Sequence, residues 1–144
     1  MTKTLLSLLG GRVRWMLVVG VAAIIAVFSV VPLPASLREF GPFGVLPVGS
    51  YVHFLAYAGL AASLASALAD RARSDGAVLS AVFVVAVGYG VALELVQLTL
   101  AHRHFSRRDI LVNAAGTTLA VAAWRYLFGR ARRGRVERSA TPEP

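Results

Sequence analysis

Three stretches far apart in the chain carry most of its chemistry-bearing side chains. Glu94 and Gln97 stand three positions apart, a spacing that puts both on one face of a helix, and Gly90 extends the same stripe. Asp109, Asn113 and Gly116 repeat that geometry, and His53 with Tyr57, four apart, forms a third stripe. Arg103, His104, Ser106, Arg107 and Arg108 fill the stretch between the first two sets. Guanidinium groups bind phosphate or carboxylate oxygens through paired N–H donors, so these arginines suit oxyanion recognition. His53 could also move a proton, with Glu94 or Asp109 as its partner. Other chemistries find little support. The chain has no Cys and no Ser elbow, and His102 and His104, two apart in a loop, are a weak metal pair. Neither a metal nor a cofactor is expected.

Taken singly, each residue also has a plain structural use. His53 suits interface anchoring, Asp109 a helix cap, and Glu94 an ion pair with Arg103 or His53. Asn113 and Gln97 suit interhelical hydrogen bonds, which contribute about 0.6 kcal/mol each in a membrane. Their joint placement carries the functional signal, and it depends on the elements that hold them.

Those elements are apolar. Of 144 residues, 57% are hydrophobic and 15% charged, too little polar surface for a water-soluble domain of one core. Four segments are long enough for a hydrocarbon core of about 30 Å: about 15–31, 51–69, 77–101 and 110–128. The fold class expected is all-α, a polytopic bundle of four transmembrane helices over 15–128. A short N-terminus, 1–14, precedes it, and a basic, disordered tail, 129–144, follows. The first segment reads as an uncleaved helix rather than a signal peptide, because its apolar run is long and no small-x-small site follows Val31. With the third helix running to Ala101, Glu94 lies roughly 10 Å below its end. A charge there costs roughly 2.5–3.5 kcal/mol at mid-span, so it needs a partner or a purpose.

The net charge of +8 raises the question of nucleic acid, but the basic residues flank the apolar runs as membrane anchors do, and none is expected as partner. Eleven of the 15 fall on one side: Lys3, Arg12, Arg14, Arg71, Arg73, Arg125, Arg130, Arg132, Arg133, Arg135 and Arg138. Only Arg38, Arg103, Arg107 and Arg108 fall on the other. The positive-inside rule places both termini in the cytoplasm and the polar cluster at the outer face of the cell membrane. The first connection, Pro32 to Ser50, mixes four prolines with Phe40, Phe43, Val45 and Leu46. It is expected to lie on the outer interface or dip into the bundle, or else to be an ordinary loop touching lipid.

The same residues resemble the VanZ-like family of small membrane proteins, named after an accessory protein of glycopeptide (teicoplanin) resistance. The resemblance rests on His53-Phe54 with Tyr57, on Glu94-Leu95-Val96-Gln97, and on Arg103-His104-Phe105-Ser106 followed by Asp109, Asn113 and Gly116. It spans about Leu46 to Trp124. Where family members often carry an Asp-Lys pair before the His, this chain has Gly49 and Ser50, and Ala120 stands where a further Gly often lies. The resemblance implies a four-helix cell-envelope protein and no established reaction, cofactor or substrate.

The leading functional expectation is an accessory protein binding a lipid headgroup, an envelope precursor or an amphiphilic antibiotic through His53, Tyr57, Glu94, Gln97, Arg103, Ser106, Asp109 and Asn113. The alternatives are an intramembrane enzyme acting on a lipid-linked substrate and an oligomeric transporter. The transporter would pack copies through the small-residue face of Ala58, Ala62 and Ser66. Membrane lipid, an anionic lipid-linked or amphiphilic ligand and a second copy of the chain are the partners expected.

Overall fold

The computed structural model describes residues 10–32, 34–41, 43–69 and 75–140, with side chains as far as residue 127. The described residues form four helices, α1 (Gly11–Val30), α2 (Val48–Leu68), α3 (Asp75–Gln97) and α4 (Arg107–Ala140), and one 3-10 turn, Ala35–Arg38. Lys3, Arg71, Arg73 and residues 141–144 lie outside the described residues, as do the side chains of Arg130 to Arg138.

The helices run up, down, up and down. Arg14 near the start of α1 reaches Ser66 near the end of α2, and Gln97 at the end of α3 reaches Ser29 near the end of α1. A core of small and branched side chains joins them, including Val18, Ile25, Leu60, Ala61, Leu64, Val82 and Ala86. The outward faces are more apolar than many inward positions. Met16, Phe28, Leu55, Val84 and Leu98 are exposed, whereas Ser50, Ser66, Glu94, Gln97, Asn113 and Thr117 are buried. Water would not tolerate that distribution, but hydrocarbon solvates such a surface.

Three helices, α1, α2 and α3, are long and apolar enough to cross a membrane. The fourth segment differs from expectation, because α4 is not apolar enough by the same measure. Asn113, Thr117, Thr118 and Arg125 lower its hydropathy. It is also longer than expected. It begins at Arg107, where Ser106 supplies a cap, and stays helical to Ala140, where a disordered tail was expected from residue 129. Arg, Ala and Glu are good helix formers, and the next Pro comes only at position 142. α3 in turn stops at Gln97, not Ala101. Thr99 turns its hydroxyl onto the Val96 carbonyl at 2.7 Å, a local bond that competes with helix continuation. Glu94 is therefore three residues from the helix end, about 5 Å.

Two close approaches set the spacing of the helices. A Cβ at Gly116 would overlap the Phe54 carbonyl oxygen, so α4 lies directly on the backbone of α2. A Cβ at Gly90 would stand 3.0 Å from both Asn113 Nδ2 and Tyr57 Cε1. Gly90 thus admits a side chain from each neighbouring helix.

Candidate functional site

The end of the bundle where α1 and α3 finish and α2 and α4 begin holds all eight residues singled out in the sequence. Glu94 is 2% exposed, and its Oε2 accepts the backbone N–H of Ser106 at 2.8 Å. Ser106 in turn accepts the backbone N–H of Asp109 on its hydroxyl at 3.1 Å, closing the first turn of α4. Ser106 is therefore the cap. Asp109 is the third residue of the helix, where its carboxylate meets the positive end of the helix dipole. Asp109, His53 and Arg103 all lie close enough to Glu94 to act on its charge.

On the other side of Gly90, His53 Nδ1 and Asn113 Oδ1 are 3.1 Å apart, a hydrogen bond in which the imidazole donates. The rings of His53 and Tyr57 lie parallel, their centroids 6.5 Å apart. Tyr57 and Asn113 are almost wholly buried, and His53 is half-buried at the entrance. The partner of His53 is thus an amide, not the carboxylate that a proton-relay reading requires.

Arg103 and Gln97 have an occupation that the sequence did not announce. The Arg103 Nη2 donates to the carbonyls of Phe28 and Val31, Gln97 Nε2 to Ser29 at 3.0 Å, and His102 Nε2 to Val30 at 2.7 Å. These carbonyls belong to the last turn of α1 and the residue after it, which have no partner within the helix. Leaving them bare near lipid costs several kcal/mol each. The cationic guanidinium also suits the negative end of the α1 dipole. Arg103 is accordingly a structural anchor for the end of α1. Partial burial, together with nearby Arg38, pulls its guanidinium below the ordinary arginine value.

Arg14, in the first turn of α1 at the other end of the bundle, is 7% exposed, and its Nη1 donates to the Ser66 carbonyl at 2.7 Å. Ser66 lies in the last turn of α2, so each arginine covers the carbonyl end of a neighbouring helix. Thr117, fully buried one turn below Asn113, and Tyr89, whose hydroxyl donates to the Ala22 carbonyl at 2.7 Å, also escaped sequence reading. The exposed ionisable side chains at the rim include Glu39, but arginines outnumber it. Arg107 and Arg108 in the first turn of α4 are exposed, as are Arg38 and His104.

The arrangement thus has a polar interior that is hydrogen-bonded at Glu94, Gln97 and Asn113 but leaves the Thr117 hydroxyl without a partner among the described residues. Its edge is rich in exposed arginines. The sequence model of the VanZ/LLP1 family matches residues 10–129, which adds α1 to the region of resemblance. Comparisons with curated proteins and with solved structures give no match. With three apolar helices and a family match over most of its length, the chain is a multi-pass membrane protein that belongs to the VanZ/LLP1 family.

Proposed function

We propose that this protein is an accessory binding protein of the cell envelope whose polar rim receives the anionic headgroup of an amphiphile. That class covers a membrane lipid, a lipid-linked envelope precursor and an amphiphilic antibiotic. The observation that carries the reading is convergence. His53 with Asn113, and Glu94 with Ser106, tie α2, α3 and α4 together beside the turn that exposes Arg107 and Arg108. A buried hydrogen-bonded network under exposed guanidinium groups suits oxyanion capture at a lipid surface.

In this reading α4 crosses the membrane as well. The polar residues that lower its hydropathy, Asn113 and Thr117, face the bundle, while Leu111, Leu119 and Leu127 face outward. Four crossings put both termini in the cytoplasm and the rim outside, with the arginine bias on the inner side. An oligomeric pore has less support. The α2 face that would pair copies is engaged within the chain, with Ala58 against Gly116 and Ser66 buried beside Arg14.

Thermal unfolding of the detergent-solubilised protein tests the reading, with anionic phospholipid, lipid-linked precursor or glycopeptide added against zwitterionic phospholipid. A ligand at a hundred times its Kd adds about 2.7 kcal/mol. Stabilisation by one anionic amphiphile, lost in the Arg107→Ala/Arg108→Ala double variant, is the expected result. Equal shifts with zwitterionic lipid, or a double variant that keeps the full shift, would remove the reading.

A further inference from the structure

The connection between α1 and α2 is a folded finger. Past the 3-10 turn, Phe40 and Pro47 form an antiparallel bridge, and Val48 N–H donates to the Glu39 carbonyl at 2.9 Å. Within the finger, Gly41 N–H donates to the Leu46 carbonyl at 2.8 Å and Gly44 N–H to the Gly41 carbonyl at 2.9 Å. Gly44 has φ +64°, the left-handed conformation that a glycine adopts without strain. Gly41 lies on the Tyr51 ring, where a Cβ would collide, and Phe43 packs against the same ring at 6.3 Å between centroids. The outer surface is nonetheless apolar, with Phe40 69%, Phe43 76% and Val45 71% exposed.

We infer that this finger inserts Phe40, Phe43 and Val45 into the lipid leaflet beside the rim, making the connection a membrane-interface wedge. The inference rests on α1 and α2 crossing the membrane, not on any ligand at the rim. Lipid is the occupant for three reasons. The finger leads out of one apolar helix and straight into another, and the residues that flank it in the chain are also exposed and apolar, Phe28 and Val31 before it and Val52 and Leu55 after it. Its amides at Gly41 and Gly44 are bonded within the finger, so they can leave water without being stranded. Arg38 and Glu39, both exposed, stand at its base, where headgroups would meet them.

Because the chain has no Cys, single spin labels report without background. Labels at Phe43→Cys and Val45→Cys, with Val84→Cys on the exposed face of α3 and Glu39→Cys at the base, would be read in phospholipid nanodiscs for collision with oxygen and with a water-soluble nickel complex. An oxygen-to-nickel ratio at 43 and 45 several-fold above that at 39, and close to that at 84, is expected. A ratio at 43 and 45 equal to that at 39 would place the finger in water and overturn the inference. Shielding from both reagents would also overturn it, because it would mean a protein covers the finger. Neither result depends on whether the rim binds a headgroup.

Discussion

Glu94 and Ser106, twelve positions apart, are joined by a hydrogen bond from the Ser106 backbone N–H to the Glu94 carboxylate at 2.8 Å. One buried acceptor thus holds the end of α3 against the start of α4 and fixes where the basic first turn of α4 emerges.

That bond makes Glu94→Ala and Glu94→Gln separable. A hydrogen bond to a charged group contributes about 1.5–3 kcal/mol, and a neutral one about half that. Unfolding in detergent should show the alanine variant losing the larger amount and the glutamine variant, which keeps an acceptor, losing less. Two variants as stable as the parent would contradict the contact.

Arg103→Ala should destabilise the bundle, in contrast to the usual result for a loop arginine. It frees the carbonyls of Phe28 and Val31 at the end of α1. A cost of about 2–3 kcal/mol is expected, against about 0.5 kcal/mol or less for the exposed Arg107→Ala. Denaturant titration of both variants in one micelle checks the ranking.

Gly116→Ala places a methyl group against the Phe54 carbonyl oxygen, which is backbone and can yield only if α2 and α4 separate. Overpacking of this kind costs about 1–3 kcal/mol. Gly59→Ala, with nothing within 4 Å, should be neutral or mildly stabilising. Melting temperatures of the pair report the difference directly.

Much of this arrangement was legible in the sequence. Spacing of three and four put Glu94 with Gln97 and Asn113 with Gly116 on common faces, and apolar runs located three of the helices. Helices that alternate in direction bring the starts of α2 and α4 to the same end of the bundle, which put His53 beside Asn113. What escaped were contacts made to backbone. Carbonyls at a helix end have no sequence signature, so the charges of Arg103 and Arg14 were visible while their acceptors, Val31 and Ser66, were not. Helix ends were also misread. Thr99 stops α3 through a local bond, and Ser106 starts α4 three residues before the apolar run does.

The most direct measurement is the side of the membrane on which the polar rim lies. Arg107→Cys at the start of α4 and Gly76→Cys at the start of α3, each alone in a chain without native Cys, would be treated in intact cells with a membrane-impermeant maleimide. Labelling of position 107 from outside, with position 76 reacting only after permeabilisation, is the result expected of an outward rim and a spanning α3. The reverse pattern, or both positions reacting from one side, would contradict the account.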